Sequence, residues 1–354
     1  MEMIYKEDFP DAQQHWDAFW HGEIIDRPCM MVLAPREKLP APPEPHTLRD
    51  KWMDLDYLLA LHEHRHRTTW YLGEAVPSMT LLFGWCACYG AEAEFLPDTI
   101  WIKPSIEAWD RAPDWETAWD DEGWRYLKRA YERIVGEIAG KYFLGMGLIL
   151  PPNDLLAMLR GPERFQVDLI EHPEEVKRAL TTMRRNYIRM QRELNSIRLR
   201  KLEGYGCHWP VWSREPMSAM QSDLSCMISA RMFDEFILPE IEQMAGAVKH
   251  CFYHLDGPGA VRHLEKICSV PNIKCIQWVP GAGQPGNAVY WLDLYKRIQA
   301  MGKAVYTGVG ANELETVIRE LDPRKLLLQM GARSKGEGEE LLRKAAEWTG
   351  EYWG

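Results

Sequence analysis

The chain has 354 residues, 46% of them hydrophobic and 27% charged, with a formal net charge of −10. This is the composition of a globular protein with ample material for a core, and it excludes a sequence-independent nucleic-acid binder, which needs a basic face to displace counterions. No apolar run approaches the length that spans a bilayer and no secretion signal opens the chain, so neither membrane nor nucleic acid is expected as a partner and a cytoplasmic location is.

In chain order, the first apolar run, 29–34, reads as a strand, with Arg36 just beyond its end. Prolines 40, 42, 43 and 45 then impose an extended loop. Residues 52–70 follow with helical spacing; His62, His64 and His66 alternate along it, so they point in different directions and do not read as a metal cluster. A second strand is expected at 76–83. Alternating residues around Pro97 predict a β-hairpin over 91–104, and the tryptophan-rich continuation to 124 reads as part of the same insertion. A helix over 122–138 leads to a strand at 142–149. Pro151 and Pro152 precede Asn153, placed to cap a helix or to bind a ligand, and Asp154 opens that helix. His172-Pro173-Glu174-Glu175 marks the start of a long helix over 173–202, whose arginines between 184 and 200 read as a solvated face.

Residues 204–215, with His208, Trp209 and Trp212, read as a second insertion. Strands are then expected at 217–224, 249–255, 273–279, 303–307 and 326–330, separated by helices at 229–247, 259–268, 288–301 and 313–321 and followed by one at 338–347. The fifth strand delivers His254 and Asp256 into the turn Gly257-Pro258-Gly259. Residues two apart share a face of a strand, so an imidazole and a carboxylate project together there, as a reaction centre or as polar groups satisfying the turn. Trp278 ends the sixth strand before a glycine-rich turn and offers either a stacking surface for a planar ring or simple packing. Gly308-Val309-Gly310 is a weak candidate for a phosphate cradle. The eight cysteines, at 29, 86, 88, 207, 226, 251, 268 and 275, suit reduced, mostly buried thiols, and Cys86-Ala87-Cys88 lacks the spacing of a zinc or redox pair.

Eight strand–helix units imply parallel pairing through right-handed crossovers. The expected fold is therefore α/β, a (β/α)8 TIM barrel with N-terminal elaborations and a β-hairpin insertion, with a doubly wound open sheet as the alternative. One domain is expected over 1–354, with insertions at about 91–124 and 204–215.

Three segments taken together resemble the uroporphyrinogen decarboxylase superfamily, which includes cobalamin-linked methyltransferases. The first is FLGMGLILPPND at 143–154 with MLRG at 158–161 and LIEHP at 169–173. The second is QSDLS at 221–225 leading to Pro239, and the third is HLDG at 254–257 with Gly302-Lys303 downstream. The match runs from about residue 142 to the end; FWHGEIIDRP at 19–28 fits in outline. The resemblance implies a barrel whose site lies at the carboxyl-terminal mouth, with large flat substrates. Two departures bear on the chemistry. A polycarboxylate needs several bidentate cations, and where the decarboxylases carry an arginine-rich segment this chain has Arg36 followed by prolines. The zinc-dependent relatives use His-x-Cys and a later Cys to generate a thiolate, whereas this chain has His254-Leu255-Asp256 and no cysteine at 328–334.

The resemblance thus implies methyl transfer between a corrinoid, or a corrinoid carrier protein, and a folate-like or small methylated compound. The alternatives are decarboxylation of uroporphyrinogen or a related carboxylated compound, and a non-catalytic corrinoid-binding scaffold. Asp223, His254 and Asp256 are the expected catalytic residues; Arg36, Asn153, His208, Gln221 and Trp278 are expected to bind substrate. A metal, if held, falls to His254 and Asp256. Corrinoid or tetrahydrofolate enters as substrate, and symmetry statistics make a homodimer the expected assembly.

Overall fold

The computed structural model describes residues 3–83, 88–147 and 150–354. Cys86 and the end of the strand expected at 142–149 lie outside the described residues. The strands are β1 (Cys29–Pro35), β2 (Thr69–Gly73), β3 (Ser78–Met79), β4 (Glu92–Phe95), β5 (Ile100–Lys103), β6 (Phe143–Leu144), β7 (Tyr205–Gly206), β8 (Trp212–Ser213), β9 (Met217–Met220), β10 (His250–Asp256), β11 (Ile273–Val279), β12 (Ala304–Gly308) and β13 (Leu326–Gly331).

Seven of them form a central sheet in the order β2-β1-β13-β12-β11-β10-β9. Its pairs are parallel except β1 with β2, and the early strand β1 lies beside the last, β13. β3 pairs with β6 in a separate parallel ladder. Beyond β6, Met146 N donates to Gly206 O at 3.0 Å, so the edge of β6 is taken up by the start of the β7–β8 hairpin. Two backbones meet closely there. A Cβ on Gly206 would sit 2.5 Å from the Phe143 ring, which restricts this position to glycine.

Alternation along the strands separates two cores. Met31, Phe252, Cys275, Tyr306 and Leu327 join one buried cluster on the inner face. Their neighbours Met30, Val32, Tyr253, Leu255, Ile276 and Leu328 pack outward with the helices. A parallel sheet covered on both faces shows this near-continuous apolar run instead of polar alternation. The inner cluster is stopped at its amino-terminal end by helix α1 (Phe9–His21), whose Trp16 and Trp20 are buried. Trp20 Nε1 donates to Trp212 O at 2.9 Å and its ring stacks on His250, 4.7 Å between centroids. Burying each indole stabilises by roughly 2–3 kcal/mol.

Several local expectations change. The helix expected at 52–70 is α2 (Leu48–Met53) and α3 (Leu55–Arg67), divided at Asp54, whose carboxylate accepts from Asp56 N at 2.9 Å as an N-cap. Residues 69 and 70, read as its end, instead begin the antiparallel β2. The strand expected at 217–224 stops at Met220, because Asp223 N donates to the Asp154 carboxylate and turns the chain into a short 3₁₀ helix. The predicted hairpin at 91–104 is β4–β5, with Glu92 opposite Lys103. Helix α4 (Glu122–Ile138) matches its predicted span, and α5 (Pro152–Arg160) follows the two prolines. In the arginine-rich helix Pro173–Arg198, Arg189 pairs with Glu193 at the surface, while Arg184 pairs with the buried Glu240. Arg198 departs from the solvated face: it is fully buried, donates to Leu144 O at 2.6 Å and lies over the Phe143 ring. Among the described residues no helix is long and apolar enough to cross a membrane.

Candidate active site

β10 places Phe252, His254 and Asp256 on one face by its period of two, and Phe252 belongs to the inner cluster. His254 and Asp256 therefore emerge at the carboxyl end of the strand, above that core. Asp223 reaches them from the 3₁₀ turn after β9. One ligand atom from each of Asp223, His254 and Asp256 lies within 4.8 Å of the others, and among the described residues they form the one such cluster of metal-ligating groups.

Register fixes the imidazole. His254 lies opposite Gln277 on β11, and its Nδ1 is hydrogen-bonded to Gln277 Oε1. With an acceptor oxygen on that side, Nδ1 carries the hydrogen and Nε2 keeps its lone pair for a proton or a cation. On the other side the indole of Trp209, from the β7–β8 hairpin, lies 5.4 Å from the His254 ring.

Beneath Asp223 lies a second carboxyl group. Asp154, 6% exposed in the first turn of α5, accepts from Asn153 Nδ2 at 2.8 Å, Asp223 N at 3.0 Å and Gln221 Nε2 at 3.2 Å. Gln221 Nε2 also reaches Asp223 Oδ1 at 3.3 Å, bridging the two acids. Burial, then the nearby Asp223 charge, pushes the Asp154 carboxyl up to about 8. Asp223 is also raised, chiefly by burial and further by Asp256, against the lowering effect of His254. Its side chain is open to solvent at the mouth yet sits within a concave wall of protein, which is how an exposed carboxylate can still be poorly hydrated. The site thus gathers three acids and one imidazole, and burial raises the proton affinity of both Asp154 and Asp223.

A cavity of about 480 Å³ opens beside this cluster, between the ends of β1 and β13, helices α2 and α3, and the tip of the β7–β8 hairpin. His208 lines it, together with Gln329. Burial, then the nearby His254, lowers the His208 imidazole to about 3, so it is neutral at physiological pH.

The expected site residues divide accordingly. Asp223, His254, Asp256 and Gln221 come together, with His208 next to them. Asn153 does not cap its helix; its Nδ2 bonds the Asp154 carboxylate and Ser222 Oγ, both at 2.8 Å, so it braces the acid pair. Arg36 stacks over Trp70 at 4.1 Å and approaches Glu37 at 3.7 Å, apart from the cluster and from the cavity wall. Trp278 is 3% exposed and packs edge-on against Trp291 in the helix-facing core, 5.0 Å between centroids. Being one residue along from Gln277, it points to the opposite face of β11, so packing describes it and stacking on a ligand at the mouth does not. Gly310 N donates to Glu313 Oε2 at 3.2 Å, so the chain's own carboxylate takes the place of a phosphate at that turn. His62 and His66 share a face of α3, 6.1 Å apart, while His64 turns away to Leu39 O.

Sequence reasoning missed two residues. Gln277 carried the available signal: it lies in β11 at the position opposite His254, where a polar side chain interrupts an apolar run. Asp154 gave no local signal beyond helix opening, because its partners are 67 and 69 residues away.

The donor set of a metal here would be one imidazole and two carboxylates, which suits a hard divalent cation. It does not suit zinc–thiolate chemistry: the nearby Cys226 has its thiol raised by burial and by Asp223, and donates it to Asp223 O.

No model of a protein family matches the sequence, and no protein with a curated description does. Among solved structures, a methyltransferase from Methanosarcina mazei is similar at a TM-score of 0.61 and 12% identity, covering 95% of this chain and 98% of the other. At that identity the likeness is one of fold. Methylaspartate ammonia lyase from Clostridium tetanomorphum overlaps with 65% of this chain at a TM-score of 0.31 and 10% identity, too low to carry an argument.

Proposed function

We propose that the chain is an enzyme, a single (β/α)8 barrel domain that moves a methyl group between a methylated small molecule or folate-like amine and a corrinoid, free or on a carrier protein. The observation that carries this reading is the convergence of Asp223, His254 and Asp256 at the carboxyl ends of the strands. Such ends are where parallel α/β folds bind and transform ligands. The placement of β1 beside β13 supports ring closure, and the shared fold with a methyltransferase supports the reaction class.

A methyl group leaving oxygen or nitrogen leaves an electron pair behind, which a proton must meet. Asp223 has its proton affinity raised by burial and by Asp256, so it can protonate the departing heteroatom. His254, oriented by Gln277, can relay the proton through Nε2, and Asp256 can hold the imidazolium that forms. A hard divalent cation bound by the same three side chains would polarise that heteroatom as a Lewis acid. Decarboxylation of a polycarboxylated tetrapyrrole is less well supported, since the cavity wall offers Lys51 and Arg65 as its cations where such a substrate needs several.

The test is single-turnover methyl transfer from a methoxylated or N-methylated donor to reduced cobalamin, followed by absorbance. Asp223→Asn and His254→Asn should each slow it by about 10²–10⁴-fold with cobalamin binding retained. Wild-type rates in both variants would refute the assignment. Cobalamin binding with no turnover in the wild type would favour the scaffold.

A further inference from the structure

The cavity beside the cluster combines apolar walls with two cationic side chains. The chain carries 52 acidic residues against 42 Lys and Arg, yet the described residues lining this cavity include no Asp or Glu. They do include two cations, Lys51 of α2 and Arg65 of α3. Lys51 is 3.9 Å from Glu44, whereas Arg65 forms no salt bridge with any described residue. In an acidic protein whose surface arginines are mostly paired, an unpaired guanidinium on a concave wall is poised for an anion from outside.

The remaining walls are apolar. Leu33, Leu58, Leu61, Val76 and Leu81 line them, and Trp52 adds an aromatic face. Trp52 Nε1 donates to Leu96 O at 2.8 Å, which ties this face to the β4–β5 hairpin. His62 also lines the cavity, and its Nδ1 is shielded from water without a hydrogen-bond partner. The imidazole is neutral, lowered to about 4 by burial and then by Arg65, so it adds a polar contact without adding charge. With Lys51 only weakly engaged by the exposed Glu44, the wall presents between one and two positive charges, centred on Arg65. The single unpaired guanidinium, set among apolar walls, suits a carboxylate carried on an apolar body. The volume is that of a small-molecule site.

We infer that this cavity binds an organic carboxylate with a flat, apolar body, anchored by Arg65, with the opposite end of the molecule directed toward His208 and the acid–imidazole cluster. The identity of the ligand class stands on the cavity itself; the direction of its reacting end rests on the function proposed above.

Binding to the full chain is measured by calorimetry with para-methoxybenzoate and its neutral isostere para-methoxybenzamide, with inorganic phosphate as competitor. The carboxylate should bind roughly tenfold or more tightly than the amide. Arg65→Met should abolish that preference while leaving amide affinity unchanged, which also shows the cavity intact, and Arg65→Lys should keep part of it. Equal affinity for the two probes, absence of saturable binding by either, or a preference that survives Arg65→Met would overturn the inference. Displacement by phosphate at comparable concentrations would overturn the carboxylate class in favour of a phosphate. Arg65-dependent binding without methyl transfer would refute the proposed reaction and leave this site standing; methyl transfer indifferent to Arg65 would do the reverse.

Discussion

Asp154 gives the most quantitative prediction. Its carboxyl is buried, faces Asp223 across Gln221, and is raised to about 8. An unfolded aspartate ionises near pH 3.9, so between pH ~4 and ~8 the folded chain holds one proton that the unfolded chain has released. Stability contributed by keeping that group neutral is complete below the unfolded value. The loss accumulates at ~1.4 kcal/mol per pH unit as pH rises toward the folded value, and amounts to ~4 kcal/mol by pH 7. Asp154→Asn has the shape of the protonated acid and titrates in neither state. Its Oδ1 can still accept from Asn153 and Asp223 N, and its amide can donate to Gln221 once that side chain turns its oxygen inward. Urea unfolding at pH 5 and pH 7 should therefore show the variant gaining on wild type by roughly 2–3 kcal/mol across that interval, beyond any constant offset. A gap that stays constant with pH would refute a protonated Asp154.

Four further outcomes follow from the same contacts. Glu74→Gln breaks the buried bidentate pair with Arg27, at 2.7 and 2.9 Å, and should cost about 3–5 kcal/mol in urea unfolding, because the guanidinium is left uncompensated. Gln277→Leu frees His254 to rotate and should lower methyl-transfer kcat by about 10–100-fold with little change in KM, together with an altered pH–rate profile. Trp278→Ala should destabilise by about 3–5 kcal/mol, read from denaturant midpoints, without selectively weakening ligand binding. Raising the pH through about 8 should ionise Asp154 next to Asp223 and reduce turnover, and Asp154→Asn should remove that alkaline limb.

How far the sequence discloses this molecule can be argued from particular segments. Helix α4 and strand β11 coincide with their predicted spans, because an amphipathic stripe capped by Asp121 and a β-rich apolar run are local properties. The β4–β5 hairpin was equally legible from alternation. β2 was not: Thr69, Trp70 and Tyr71 continue directly from a helix, and only antiparallel pairing with β1 makes them a strand. Asp223 was expected at a strand end and instead lies in a turn held by Asp154, a contact between distant segments that no local pattern encodes. Strand parity, by contrast, could have separated Gln277 from Trp278. An indole before a glycine-rich turn suggested a ligand platform, yet the face is set by the register with His254, which assigns the mouth to the glutamine.

The tryptophans of α1 have a kinetic consequence. With Trp16 and Trp20 filling the amino-terminal end of the inner cluster, a small donor seated beside Arg65 and a bulky acceptor arriving over His254, as proposed above, would share one doorway at the opposite rim. The larger partner would lock the smaller one in. Such a geometry favours a compulsory order, donor first, and substrate inhibition by the acceptor whenever it arrives at an empty site.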